Sequence, residues 1–128
     1  MVAIPADYQD LFEKQTFAHV GTILPSGAPH ITPVWVDYDA DAGRLLVNTE
    51  RGRQKERNVR RNPAVGVSML DPENPYRYLS VVGEVEEITT DGAREHIDEL
   101  SRRYVDSDYQ NPIETERVIL RIRPERLL

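Results

Sequence analysis

Residues 16–38 read TFAHVGTILPSGAPHITPVWVDY, which is two β-rich runs separated by a turn. Phe, Val, Ile and Thr dominate the first run, residues 16–24, and these residue types favour strands. Pro25 and Gly27 then occupy positions that suit a type I turn. The second run, residues 30–38, is expected to pair antiparallel with the first. The segment therefore predicts a β-hairpin.

The rest of the chain adds four more strands. They alternate apolar and polar residues or are rich in β-branched residues, and turn residues separate them. Short connections favour antiparallel neighbours, and a six-stranded antiparallel sheet most simply removes its edges by closing into a barrel. Pro33 lacks an N–H and predicts an edge or a bulge, while Gly83 predicts a bulge or a close backbone approach. The four strands are 44–49, 64–70, 76–88 and 117–123, the last with one face in solvent.

Three helices are predicted around this sheet. A short one covers Pro5 to Gln15, and a basic one opens near Gly52 and ends at Asn62-Pro63. Val59 alone could anchor the basic helix, so we expect it on the surface. Thr90 or Asp91 can cap the third, which has an apolar stripe. The stripe comprises Ala93, Ile97, Leu100 and Tyr104.

Length and composition limit the class of protein. A chain of 128 residues predicts one domain, residues 1–128, that buries a real core. Cysteine is absent, which excludes disulfides, zinc–thiolate sites and a Cys nucleophile and favours a cytoplasmic protein. No apolar run reaches the length of a membrane span, and no targeting segment is expected. A net charge of −6 argues against a general nucleic-acid binder.

The positive charges are concentrated in one stretch. The basic segment, residues 50–61, reads ERGRQKERNVRR and holds six cations against two carboxylates, a net charge of +4. Such a segment in an acidic chain indicates a local anionic partner. The alternative is a solvated helix whose arginines pair with neighbouring carboxylates. Composition does not separate the two interpretations.

Side chains for acid–base or nucleophilic catalysis are scarce, so no catalytic residue is assigned. The three histidines are isolated, and no metal-ligand spacing is present. If the protein is an enzyme, we expect a cofactor to supply the chemistry. The best candidate site is 48–62 together with 32–35. Lys55 and Asn58 share a helix face there, Arg51 lies a turn earlier, Gln54 can donate, and the helix N-terminus adds to an anion cradle.

These residues resemble a known family. Three stretches, GTILPSGAPHITPVWVDYD, LLVNTERGRQKERNVRRNPAVGVS and YLSVVGEVEEI, are similar to the pyridoxamine 5′-phosphate oxidase-like flavin-binding split barrels. More narrowly, they resemble the deazaflavin (coenzyme F-420) dependent oxidoreductases of that superfamily. The resemblance covers about residues 8–123. Its most specific part is a T-x-x-x-x-x-K-x-R-N-x-x-x-x-P pattern, formed by Thr49, Lys55, Arg57, Asn58 and Pro63.

The resemblance implies a six-stranded split β-barrel that forms a homodimer, with two cofactor sites at the subunit interface. It also implies that residues between 48 and 58 hold the anionic tail of the cofactor, and that residues 32–35 line its tricyclic ring. The tail residues are Asn48, Thr49, Arg51, Arg53, Gln54, Lys55 and Asn58, and the ring residues are Thr32, Pro33, Val34 and Trp35.

Several alternatives stay open on the sequence. Six cations in twelve residues suit the long anionic tail of coenzyme F-420 better than the single phosphate of FMN, and haem is a third candidate. The reduced deazaflavin would transfer a hydride to a small unsaturated or quinone-like substrate. Tyr76 and Tyr78 would wall the substrate side, or serve only in packing. The rival functions are a flavin carrier without turnover and a barrel that binds nucleic acid or a protein partner through the basic segment.

Overall fold

The computed structural model describes all 128 residues, and a curled antiparallel sheet dominates it. A 3₁₀ helix, Ala6–Phe12, precedes the sheet, and the helices α1 (Gln54–Arg61) and α2 (Ala93–Val105) lie between its later strands. The strands are β1 (Ala18–Ile23), β2 (Pro29–Val34), β3 (Val36–Asp39), β4 (Arg44–Glu50), β5 (Ala64–Asp71), β6 (Asn74–Thr89) and β7 (Arg117–Leu127).

The sheet has seven strands, so the prediction of six was wrong by one. The segment expected to be a single strand over 30–38 divides at Trp35 into β2 and β3. The strand order is β2-β1-β5-β6-β7-β4-β3, which places these two consecutive strands at opposite edges of the sheet. Because only Trp35 separates them in the chain, the sheet must curl until its two edges meet. Pro33 lies in the edge strand β2, as predicted for a residue without an N–H.

Two helix predictions need correction. The N-terminal helix is a 3₁₀ helix that ends at Phe12, short of the predicted Gln15. The third helix begins at Ala93, and neither Thr90 nor Asp91 caps it with a side chain; Gly92 precedes it in a left-handed conformation (φ 70°). Glycine adopts that conformation without the steric cost of a Cβ. The apolar stripe of α2 is buried as predicted.

Gly83 confirms the predicted close approach. The register between β6 and β7 shifts between Val82 and Gly83. A Cβ atom at Gly83 would lie 2.4 Å from the carbonyl oxygen of Arg123, closer than any side chain tolerates. Because glycine has no side chain, the backbone of β7 can approach β6 closely at this point.

The core fills the concave side of the sheet. Alternate residues of β5 and β6 point inward, among them Val67, Met69 and Val81. The 3₁₀ helix closes one end of this core with Leu11 and Phe12. A second apolar cluster lies under α2, where Ile97, Leu100 and Tyr104 pack together with Trp35 and Tyr109. No helix combines the length and apolar character that crossing a membrane requires.

Candidate functional site

A cavity of about 230 Å³ opens where the chain breaks between β2 and β3. The end of β4 and the start of α1 form its second wall, and the segment leading into β7 forms its third. Seven residues predicted from the sequence line it together: Pro33, Val34, Trp35, Asn48, Thr49, Arg53 and Lys55. The structure thus brings the two predicted segments, 32–35 and 48–62, to one place.

Four predicted cofactor residues do not line this cavity. Asn58 is fully buried, where its Nδ2 donates to Thr22 Oγ1 (3.0 Å) and its Oδ1 accepts from Gln54 Nε2 (2.8 Å). Arg51 pairs with Glu116. Thr32 is half-buried in β2, and its hydroxyl oxygen has no hydrogen-bond partner. Asn58 and Gln54 therefore connect α1 to β1 through Thr22. Neither side chain lines the cavity.

The two tyrosines assigned to the substrate side also lie outside the cavity. Tyr76 and Tyr78 are in β6 next to the β5–β6 turn, and both are exposed, Tyr76 to 92%. Their role in substrate binding stays a prediction.

The basic segment divides into paired and unpaired cations. Arg60 Nε lies 2.7 Å from Glu56 Oε2, and Arg51 pairs with Glu116, so the interpretation as a solvated, internally paired helix explains these two. Lys55 instead has no carboxylate or hydrogen-bond acceptor beside it and faces the cavity. Arg53 has only a long contact, 3.9 Å, with Glu50. Lys55 and Arg53, at the start of α1, therefore line the cavity with little compensation of their charge and are available to an anion.

Burial and like charges lower the pKa of Lys55. Loss of water around the half-buried ammonium is the main cause, and repulsion from Arg53 and Arg117 adds to it. Burial likewise lowers the pKa of Arg117, although guanidinium remains charged at any physiological pH. Three cations thus line one cavity at an electrostatic cost, and an anion bound among them would remove that cost.

The carboxylate of Glu50 is held mainly by backbone N–H groups and gives these cations only its 3.9 Å contact with Arg53. Glu50 pairs across the sheet with Arg117 in the β4–β7 register, but its Oε1 accepts backbone hydrogen bonds from Glu114 and Thr115, the latter at 2.9 Å. These bonds lower the pKa of Glu50, so it remains ionised and fastened to the loop. Neither Lys55 nor Arg117 gains an ion pair from it.

Aromatic rings form the opposite part of the cavity. The Trp35 ring stacks on Tyr104 with centroids 5.2 Å apart and planes 13° apart, and Tyr109 meets it edge-on at 6.4 Å. The Tyr104 hydroxyl donates to the carbonyl of Thr16 at 2.6 Å, which fixes the stack from behind. Trp35 has no strand partner in either register, since pairing stops at Val34 and resumes at Val36. The site therefore combines a rigid aromatic surface with unpaired backbone.

Five lining residues escaped the sequence analysis: Phe17, Ile97, Tyr109, Asn111 and Arg117. Arg117 was assigned to the solvent face of the last strand, yet it is half-buried in the cavity. No local pattern marks it, because alternation along a strand shows which face a residue occupies and not what covers that face. Side chains that could hold a metal ion as a group of three or more His, Asp or Glu are not present.

A curled antiparallel half-barrel with an aromatic and cationic cavity at its split defines a protein of the flavin-binding split-barrel class. The sequence matches the pyridoxamine 5′-phosphate oxidase family over residues 4–128. The chain belongs to that family, and its fold and its similarity to an F-420 reductase support an oxidoreductase or flavin-binding role.

Solved structures agree with this assignment. The chain is similar to an F-420 reductase, with 36% identity, a TM-score of 0.84 and 98% of each chain covered. It is also similar to a conserved hypothetical protein from Mycobacterium tuberculosis, with 25% identity, a TM-score of 0.73, and 99% of this chain and 84% of the other covered. HupZ from group A Streptococcus, 22% identical with a TM-score of 0.69 and coverages of 97% and 91%, shares the fold. No curated protein matches the sequence.

Proposed function

We propose that this protein is an oxidoreductase that uses the reduced deazaflavin coenzyme F-420 to transfer a hydride to a small unsaturated or quinone-like substrate. The observation that carries the proposal is the group of unpaired cations, Lys55 with Arg53 and Arg117, beside a flat aromatic wall. The similarity to an F-420 reductase over nearly the whole chain supports the same cofactor.

The residues present fit such a cofactor at both ends. Lys55 and Arg53 at the N-terminus of α1 would hold the phosphodiester of the tail, because the free N–H groups and the dipole of the helix start add to their charge. No side chain caps that helix start, which leaves its N–H groups available. The unpaired backbone around Trp35 would meet the polar edge of the ring system.

When bound, the reduced deazaflavin supplies the hydride. The chain contributes orientation. Trp35 is locked by Tyr104, so the surface against which the ring rests does not need to reorganise. The cavity opens to solvent, and water can deliver the proton that completes the reduction. We assign no side chain to acid–base catalysis.

We further propose that the protein is a homodimer with the cofactor at the subunit interface. The cavity in one chain, about 230 Å³, is smaller than the roughly 300–1,000 Å³ of typical small-molecule sites, so a second chain would be needed to enclose a tricyclic cofactor. Phe17, a large apolar residue that lines the cavity, is 55% exposed. Light scattering on the purified protein tests this; a monomer at micromolar concentration with cofactor bound would contradict it.

FMN is the second candidate, because the same cations would also accept a single phosphate and the chain belongs to the pyridoxamine 5′-phosphate oxidase family. Fluorescence quenching separates the two, since Trp35 is the only tryptophan and lines the cavity. We expect tighter binding of F-420 than of FMN when both are titrated side by side. Tighter binding of FMN would transfer the proposal to that cofactor, and no quenching by either would overturn it.

Binding alone does not establish an enzyme. Reduced F-420 with a panel of quinone and unsaturated acceptors tests turnover, with Trp35 quenching as the parallel measure of binding. Acceptor-dependent oxidation of the cofactor supports the proposed reaction. Tight binding without oxidation by any acceptor would instead favour a protein that carries the coenzyme.

A further inference from the structure

We propose that Arg117 is the third cation of the anion site and that Asp37, His96 and Asn48 form a hydrogen-bond chain that positions it. The ligand group is an anionic oxygen cluster, a phosphate or phosphodiester, held jointly by Lys55 from α1 and Arg117 from β7. The proposal rests on the proposed function for the identity of the ligand, but its geometry depends only on this chain.

The chain of hydrogen bonds runs from β3 through α2 and β4 to β7. Asp37 Oδ2 lies 3.0 Å from His96 Nε2, and His96 Nδ1 lies 3.2 Å from Asn48 Nδ2. Asn48 Oδ1 then accepts from Arg117 Nε at 2.8 Å. Asn48 and His96 are both more than nine-tenths buried. The contacts therefore connect four side chains from β3, α2, β4 and β7 to one edge of the cavity.

Each group in this chain has a determined donor or acceptor role. Arg117 Nε can only donate, so the atom of Asn48 that faces it must be the oxygen. Asn48 Nδ2 consequently donates, to the carbonyl of Ala93 at 2.8 Å and to His96 Nδ1. His96 Nδ1 must then accept, which leaves the hydrogen on Nε2, directed at Asp37.

Asp37 supports the same assignment from the other end. Burial alone would raise the pKa of Asp37, but the hydrogen bond from His96 and the charge of Arg103, 3.1 Å away, outweigh it and lower the pKa. Asp37 is therefore a carboxylate, which only accepts hydrogen bonds. The donor and acceptor roles derived from Arg117 and from Asp37 agree, because both require a hydrogen on His96 Nε2.

The guanidinium of Arg117 keeps hydrogen-bond donors that this polypeptide does not use. Its guanidinium lies 5.1 Å from the centre of the Tyr109 ring and has no carboxylate within ion-pair distance. Asn48 takes only Nε, and the terminal nitrogen Nη2 has no partner. The Tyr109 hydroxyl accepts a long hydrogen bond (3.4 Å) from Nη1, so the guanidinium is fixed at Nε and Nη1 and can still donate from Nη2 to a phosphate oxygen. Lys55 adds a point charge.

Ligand pairs that differ only in the anion test this role. Arg117→Ala should weaken binding of F-420 or FMN by about 10- to 100-fold, the range for a lost charge-assisted contact. The tail-free deazaflavin nucleoside and riboflavin should bind the variant as they bind the wild type. Arg121→Ala is the matched control, since Arg121 lies on the same strand, outside the cavity and 3.4 Å from Asp39. Equal losses for charged and uncharged ligands, or no loss, would overturn the proposal.

A double-mutant cycle tests the positioning chain. His96 does not line the cavity, so His96→Leu should weaken binding of the charged ligand several-fold only when Arg117 is present. In the Arg117→Ala background the same change should add nothing, and His96→Gln, which offers one donor and one acceptor, should recover part of the loss. Equal effects of His96→Leu in both backgrounds would show a merely structural role of His96 and would refute the positioning role of the hydrogen-bond chain. If His96→Leu does not fold, the same cycle with His96→Gln decides.

Inorganic pyrophosphate separates this inference from the proposed function. If neither F-420 nor FMN binds, the proposed function fails, and the anion site is judged by pyrophosphate alone. Thermal stabilisation of the wild type and the Arg121→Ala variant by pyrophosphate, reduced in Arg117→Ala, would support the site. Absence of stabilisation, or equal stabilisation of all three proteins, would overturn it.

Discussion

Replacing Lys55 by methionine should weaken cofactor binding and at the same time stabilise the free protein. Methionine keeps the length of the side chain and removes the ammonium. In the free protein that ammonium is half-buried, has no counter-ion, and is repelled by Arg53 and Arg117, which is why its pKa is lowered. Removal of the charge therefore relieves an unfavourable interaction, while the bound complex loses a favourable one.

The expected loss of affinity follows from the contact that disappears. A hydrogen bond to a charged group contributes about 1.5–3 kcal/mol. That range corresponds to an increase in Kd of about 10- to 150-fold for F-420. Arg53 and Arg117 remain, so binding should be weakened and not abolished. The midpoint of thermal unfolding without ligand should equal or exceed that of the wild type.

Quenching of Trp35 measures the Kd, and thermal unfolding of the ligand-free protein measures stability. Lys14→Met provides the matched control, because Lys14 is the only other lysine and pairs with Asp71 at 3.1 Å, far from the cavity. That change should leave Kd unaltered and lower the melting temperature, the reverse of Lys55→Met. A Kd within twofold of the wild type in Lys55→Met, or a clear loss of stability, would refute the reasoning.

Three further predictions concern the fold and the site. Gly83→Ala should lower the free energy of unfolding by about 1–3 kcal/mol, because its Cβ would lie 2.4 Å from the Arg123 carbonyl oxygen, whereas Gly66→Ala meets nothing nearer than 4.0 Å; urea denaturation compares them. Asp71 has its pKa lowered to about 2 from 3.8 by a backbone hydrogen bond and two cations, so the stability it confers is complete above about pH 4 and lost as the pH falls toward 2; urea midpoints across this range check it against Asp71→Asn. Trp35→Phe should retain the stack on the helix yet remove all ligand-dependent quenching, with Kd then measured by calorimetry.

Each of these has a contradicting result. Equal stabilities of the two alanine variants would show that β6 and β7 do not approach closely at Gly83. A urea midpoint that stays constant between pH 4 and pH 2 in the wild type would remove the role of Asp71. Calorimetry that detects no binding to Trp35→Phe, despite a native melting temperature, would give the ring a larger role in affinity than the structure indicates.

Local patterns predicted the site wherever one element supplied the chemistry. Lys55 and Arg53 were found because helical spacing and the dense charge of residues 50–61 are visible in the sequence. The same pattern also selected Asn58, which the structure buries against Thr22. A polar residue on a helix face can serve a ligand or the interior, and the sequence does not show which side of the helix the sheet covers.

The break between β2 and β3 was likewise only partly predictable from the sequence. Pro33 predicted an edge or a bulge, and it lies in an edge strand, but the segment 30–38 was expected to stay continuous. Its division at Trp35 occurs because β1 and β4 lie next to opposite edges of the sheet, and each pairs with one half of the segment. That is a long-range property, since the two partners are more than twenty residues apart in the chain.

Hydrophobic periodicity, turn residues and charge density are all local properties. They were sufficient to determine from the sequence an antiparallel sheet with peripheral helices and a cationic helix start. The tertiary structure alone decided that Arg117 belongs to the site and that Asp37, His96 and Asn48 orient it. Those residues come from four elements and span 80 positions of the chain. Their hydrogen bonds exist only once the sheet has curled, because directional contacts depend on distances and angles that no one-dimensional spacing contains.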